Sequence, residues 1–188
     1  MSDFGSLVRL ANVDAIIQVG VGYARELKWL LPLCKRPLLY GFDPSPKVRQ
    51  YWNANSYPGL LFSIGLHAGR GTMVLNDANR CEKSSMIHRP ARSTPVRVPV
   101  DSLDAFQKRY GVVGRRILLW MDCEGSELSV LAGARYTLRN VAIVVAEVVD
   151  NPTNGWPRRD DIAAHLVAKG FYPQFRMHRI GECFARRL

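Results

Sequence analysis

Short apolar runs, each closed by glycines or acids and followed by an amphipathic stretch, set the pattern of this chain. Ala15–Val19, Leu38–Phe42 and Ile117–Met121 are apolar over a length that suits buried parallel strands. Gly20 and Gly22 end the first of them, where a helical period begins. Past the third, Ser126 opens a predicted helix with Leu128, Leu131 and Ala134 at helical spacing. Asp160–Lys169 reads as a further helix, with Ile162 and Leu166 on one face and Gly170 at its end. Phe171–Met177 and Cys183–Arg187 then read as a closing antiparallel hairpin around Gly181. Strands alternating with helices predict a doubly wound α/β fold. Between Asn76 and Thr94 no period holds, and this stretch is expected to be a functional loop, a substrate lid or a partly disordered segment.

Polar residues gather where the apolar runs stop. Gly20 and Gly22 allow a ligand to approach a backbone that has no Cβ in the way. The helix start behind them would favour a carboxylate or phosphate through its free N–H groups. Asp43 stands about twenty residues beyond these glycines, after the second strand, where α/β nucleotide folds hold the ribose hydroxyls. Asp122-Cys123-Glu124-Gly125 forms a polar turn after the third strand. Open α/β sheets bind ligands just outside the carboxyl ends of their strands, so Asp122 and Glu124 should face the same crevice as Gly20 and Asp43. Helix capping would explain one of these acids but hardly two, with Glu127 and Glu147 close by. A Gly-x-Gly turn alone is common; two such segments together look like the walls of a cofactor cleft and make an enzyme the leading reading.

The same residues resemble the FkbM-type methyltransferases, which use S-adenosylmethionine. The specific part is Trp120-Met121-Asp122-Cys123-Glu124-Gly125-Ser126-Glu127-Leu128, continuing to Leu131-Ala132-Gly133-Ala134. Asp101-Ser102-Leu103-Asp104 matches the threonine-leucine-aspartate piece of that family in part, Leu66–Thr72 is similar to its glycine turn after the third strand, and Ala146-Glu147-Val148 resembles its final strand. The first motif departs: Gln18 stands where the family usually has an acid, and Gly22 and Ala24 replace its asparagine and second glycine. Gln18 can hydrogen-bond the amino end of a cofactor but lacks the charge to pair with an ammonium. The length of the chain suits a single domain over residues 1–188. The resemblance runs from about Ala15 to Val149 and implies a Rossmann-like methyltransferase fold, with a mostly parallel seven-stranded sheet and an antiparallel C-terminal hairpin. It also implies S-adenosyl-L-methionine as cofactor, held by Gln18, Gly20, Gly22, Asp43 and Asp122, with O-methylation of a sugar or other small hydroxyl as the reaction.

Composition agrees with a globular chain: 188 residues, 47% hydrophobic and 22% charged. The N-terminus has no basic start followed by an apolar stretch, and the longest apolar run, around Val141–Val145, is too short to span a bilayer, so a cytoplasmic protein without membrane contact is expected. Cys34, Cys81, Cys123 and Cys183 show no C-x-x-C spacing, and His67, His88, His165 and His178 no metal-ligand spacing. The net charge of +10 changes the picture more. Arg80, Lys83, Arg89, Arg92 and Arg97 cluster in and beside the unpatterned stretch, and Arg158, Arg159, Arg176, Arg179, Arg186 and Arg187 crowd the C-terminal part. Guanidinium groups suit phosphate and carboxylate, which points to an anionic or sugar-containing small molecule or to nucleic acid. The bland alternative is a solvated arginine-rich surface.

Methyl transfer to a hydroxyl needs the acceptor aligned and its proton removed. Asp122, Glu124, Glu147 and His67 are the groups near the strand ends, with Glu124 favoured as a metal-free base. A second route is magnesium, with Asp122, Glu147 and Asp150 as oxygen ligands. Two rivals stand beside this reading: an RNA or DNA methyltransferase, suggested by the charge, and a catalytically idle binding module, suggested by Gln18 and Ala24.

Overall fold

A computed structural model of the chain describes every residue except 1, 89–90, 112–113, 150–151, 153–154, 178–180 and 188. In chain order the elements are α1 (Ser2–Ala11), β1 (Ala15–Val19), α2 (Leu27–Leu30), β2 (Leu38–Phe42), α3 (Pro46–Asn55), β3 (Leu60–Phe62), β4 (Gly65–Leu66), β5 (Gly71–Ala78), β6 (Ser93–Asp101) and α4 (Leu103–Tyr110). They continue with β7 (Ile117–Met121), α5 (Glu127–Ala132), β8 (Val141–Ala146), α6 (Arg159–Val167), β9 (Tyr172–Met177) and β10 (Gly181–Ala185). Seven strands form one sheet in the order β3-β2-β1-β7-β8-β10-β9. β3, β2, β1, β7 and β8 pair in parallel, and β10 runs antiparallel to both β8 and β9. This is the doubly wound, mostly parallel seven-stranded sheet with an antiparallel C-terminal hairpin that the sequence leads one to expect. β4, β6 and β5 form a second, three-stranded sheet that the sequence pattern did not reveal.

Side-chain alternation decides which layer each strand residue joins. Ala15, Ile17 and Val19 of β1 pack with Leu103 and Phe106 of α4, Val130 and Leu131 of α5, and Ile162 and Leu166 of α6. Ile16 points the other way, to Phe4 and Val8 of α1, Leu27 and Leu30 of α2 and Val48 of α3. The central strands β1 and β7 are buried on both faces, which explains their apolar runs. Gln18 lies on the second face and is fully buried there.

Helix starts follow local chemistry. Ser45 caps α3 ahead of Pro46, and the Ser102 hydroxyl accepts from Ala105 N at 3.1 Å to cap α4. The helix expected directly behind Gly22 is displaced: residues 21–26 are turns, and α2 is a single turn from Leu27 to Leu30. Left-handed backbone at Gly20, Gly22 and Ala24 delays it, and Pro32 follows within a short 3-10 turn. The unpatterned stretch is likewise more ordered than expected, because β5 runs to Ala78 and β6 begins at Ser93, so that the loop proper is the return of an antiparallel hairpin. Its strands escaped notice because β5 is largely exposed at its start and β6 carries Pro95 and Pro99. The second hairpin arm is Gly181–Ala185 rather than Cys183–Arg187.

Two arginines of the C-terminal group are committed to the fold. Arg159 donates from Nε and Nη2 to the two carboxylate oxygens of buried Glu182, both at 2.7 Å. Arg186 lies 4.3 Å above the Phe171 ring and donates to the carbonyls of Val141 and Leu138. Arg89 and Arg179 fall outside the described residues. Among the described residues, no helix is long and apolar enough to cross a membrane.

Candidate active site

Strand register alone brings four of the expected residues into one row. Val19 pairs with Phe42 on one side and Met121 on the other, and Met121 pairs with Ala146. The residues that follow, Gly20, Asp43, Asp122 and Glu147, therefore stand side by side where β1 and β7 part the sheet. Each donates its backbone N–H to the last carbonyl of a neighbouring strand: Gly20 to Phe42 at 2.9 Å, Asp43 to Phe62 at 3.1 Å, Asp122 to Val19 at 3.0 Å and Glu147 to Met121 at 2.9 Å. Pairing is thus satisfied up to the row, and the side chains beyond it are free to face a ligand.

Gly20 is required here. Its φ is +78°, and a Cβ at this position would stand 1.8 Å from the carbonyl oxygen of Asp122. Asp43 secures the same turn: Oδ2 accepts from Val21 N at 2.9 Å and Gly22 N at 3.0 Å, and Oδ1 accepts from Ser45 N at 2.9 Å. Burial pushes the Asp43 carboxyl up to about 6 against the opposing pull of these three N–H groups. The glycine turn therefore turns two of its N–H groups to Asp43, where an anion had been expected.

The turn after β7 is held from both sides. Buried Glu127 accepts from Cys123 N at 2.9 Å and from the Cys123 thiol at 3.2 Å. Burial, with Glu127 beside it, pushes that thiol well up, so Cys123 is no thiolate nucleophile. Glu124 takes a left-handed φ of 52°. Its carboxylate accepts from Lys83 Nζ at 2.7 Å and its carbonyl from Ser85 Oγ at 2.7 Å. Both donors come from the β5–β6 loop, which is thereby fastened over the strand ends.

Between these parts lies a cavity of about 360 Å³, within the range of small-ligand sites. Val19, Phe42, Leu66, Leu75 and Met86 give it an apolar floor. Six carboxylates line it, those of Glu26, Asp43, Glu82, Asp122, Glu124 and Glu147, against two cations, Arg25 and Lys83. Arg25 pairs with Glu82 at 3.4 Å and Lys83 with Glu124, so among the described residues the other four carboxylates have no ion-pair partner. A chain of net charge +10 thus builds an acidic pocket.

Asp122 and Glu147 stand side by side and both carboxyls are raised: burial and then the charge of Glu124 raise Asp122, with Glu147 pulling the other way, while burial and then the charges of Asp122 and Glu124 raise Glu147 to about 9. Glu147 Oε2 is buried without a hydrogen-bond partner. Oxygens of Asp122, Glu124 and Glu147 come within 4.8 Å of one another. The Lys83 ammonium, 2.7 Å from Glu124, already supplies positive charge to this group. Asp150 lies outside the described residues.

Gln18 and His67 are not in the wall. Gln18 is buried behind it, and His67 stands past β4, its carbonyl where a Cβ on Gly133 would come within 2.2 Å. Sequence reasoning passed over Glu26, Glu82 and Lys83 as cavity residues. Glu26 sits in the first motif segment, eight residues past Gln18, and only the delayed helix start brings it back to the strand end.

A family profile for the methyltransferase FkbM domain matches residues 32–173, beginning after the glycine turn. No curated protein sequence matches the chain. Among solved structures, the sugar N-methyltransferase KedS8 from Streptoalloteichus sp ATCC 53650 is similar at 12% identity and a TM-score of 0.50, covering 100% of this chain and 86% of that one. CalS10, an amino pentose methyltransferase from Micromonospora echinaspora solved with bound SAM, is similar at 10% identity and a TM-score of 0.56, covering 99% of this chain and 89% of that one. DesVI from Streptomyces venezuelae gives 9% identity and a TM-score of 0.55, covering 100% and 90%. At these identities the likeness is one of fold.

Proposed function

Because the chain belongs to the FkbM methyltransferase family, we propose that it transfers a methyl group from S-adenosylmethionine to a hydroxyl of a small molecule such as a sugar. The observation that carries this is the acidic cavity at the carboxyl ends of β1, β2, β7 and β8. Its residues suit the cofactor: a cation finds unpaired carboxylates, an adenine finds Phe42, Leu66 and Leu75, and Asp43 stands where ribose hydroxyls are held. When bound, the cofactor would supply a methyl on positively charged sulfur, open to attack by an oxygen in line with it.

The chain's own task is then to align that oxygen, exclude water and take its proton. The Asp122–Glu147 pair suits the last role. Burial and the charge of Glu124 raise the Asp122 carboxyl, so that it takes a proton more readily than an ordinary carboxylate, and Glu147 beside it is raised to about 9. Glu124, favoured for this role from the sequence, is bound to Lys83 and serves better to hold the β5–β6 loop closed over the acceptor. A neutral hydroxyl also suits these walls better than a phosphate-rich acceptor, which would meet like charge.

Calorimetric titration with S-adenosylmethionine and its demethylated product tests the reading. Micromolar binding of both is expected, without a requirement for magnesium. No binding to a protein shown to be folded would leave the family fold without its cofactor and end the proposal.

A further inference from the structure

Gln18 is spent on protein partners. It is fully buried on the α1–α2–α3 face of β1, where its amide N–H₂ donates to Glu26 and its carbonyl accepts from the Tyr57 hydroxyl at 2.9 Å. Gly41 makes this possible: it pairs with Gln18 across β1 and β2, and a Cβ on it would lie 2.6 Å from the Tyr57 oxygen. A side chain at 41 would thus shut Tyr57 out. The relay from Tyr57 through Gln18 fixes the carboxylate of Glu26, which lines the cavity beside Gly20 and Asp122.

We propose that Glu26 is the residue that binds the α-amino group of the cofactor's amino-acid end, with Gln18 and Tyr57 positioning it. The assignment rests on the cofactor reading above. A carboxylate held by a neutral amide and fronting a cavity is completed by a cation that brings its own N–H donors, which an ammonium does. Among the described residues no lysine or arginine forms an ion pair with Glu26. The facing groups add to the demand for positive charge: Asp122 from the turn after β7, Glu82 from the β5–β6 loop with Arg25 already paired to it, Asp43 after β2, and the neutral phenol of Tyr57. Lys28 and Arg25 are the cations on Glu26's own segment, and Arg25 is engaged with Glu82. Burial, then Asp122 and Glu82, raise the Glu26 carboxyl to about 7, so a bound ammonium would also displace its proton. The negative charge lost where Gln18 stands in β1 is thereby recovered from the next element in the chain.

The test is calorimetry with two probes, S-adenosylhomocysteine and an analogue of it that lacks the α-amino group. Wild type should bind the first about tenfold or more tightly than the second, the size expected for a charge-assisted contact. Glu26→Gln should lose that preference and leave affinity for the deaminated analogue unchanged. Gln18→Glu combined with Glu26→Gln moves the charge across the same hydrogen bond and should restore part of it. On wild type alone, the preference should shrink as pH falls from 8 to 5.5 and Glu26 takes up its proton. Equal losses for both probes in Glu26→Gln, or a preference constant over that pH range, would overturn the assignment. Failure of wild type to bind either probe would instead strike down the cofactor reading, and this assignment with it.

Discussion

The acid that supports the turn after β7 should make the protein less stable as pH rises. Glu127 is 1% exposed, and burial raises its carboxyl from 4.5 to about 7 despite the hydrogen bonds from Cys123. Between these two values the folded state holds a proton that the unfolded chain has released, so stability falls with increasing pH, the reverse of a salt-bridged carboxylate. At 1.36 kcal/mol for each pKa unit, the loss between pH 5 and pH 8 comes to about 2.5 kcal/mol from this group. Glu127→Gln keeps an acceptor oxygen for Cys123 N–H and cannot titrate. Its amide N–H₂ carries a cost of about 1 kcal/mol for imperfect pairing, and that cost is the same at every pH. Urea unfolding of both proteins at pH 5, 6, 7 and 8 isolates the effect, because other raised acids such as Asp43 and Glu26 contribute equally to each. The variant should gain on wild type by about 2.5 kcal/mol from the lowest to the highest pH. Parallel profiles, with a difference constant across the range, would show that Glu127 is not raised by burial.

Gly20→Ala forces a Cβ to 1.8 Å from Asp122 O at a φ of +78°, and should cost about 2–5 kcal/mol with loss of cofactor binding, read by thermal unfolding and titration. Arg159→Ala leaves buried Glu182 without its bidentate partner; on the order of 2–3 kcal/mol of stability should go, the lower side of the range because Arg159 is a third exposed, and denaturant unfolding measures it. Asp43→Ala removes the acceptor for Val21, Gly22 and Ser45 N–H, so calorimetry should show weakened cofactor binding together with a stability loss of about 2–4 kcal/mol in urea. Lys83→Met frees the β5–β6 loop from Glu124, whose buried carboxylate loses its ion pair; faster hydrogen exchange confined to residues 79–88 is the expected sign.

The apolar runs of β1, β2 and β7, their period and the acids that end them are local properties, and they determined the parallel core of the sheet and the row Gly20, Asp43, Asp122 before any coordinates. The Asp122–Ala134 segment carried the family as well, because its residue order repeats the family's own. Nothing local marked β5 and β6 as strands, since one is exposed along much of its length and the other is broken by prolines; their pairing with each other makes them strands. The same holds for charge. Composition reports a cationic chain, but only the folding of distant segments onto four strand ends gathers six carboxylates around one cavity. Glu26 shows the limit most plainly. Its position in the sequence suggests a solvated helix residue, and what gives it a task is the delayed start of α2, the amide of Gln18 behind it and the phenol of Tyr57 reaching over a glycine in the neighbouring strand. Periodicity records which way a side chain points; the partners it meets there, and hence its charge and chemistry, come from parts of the chain that only tertiary packing brings near.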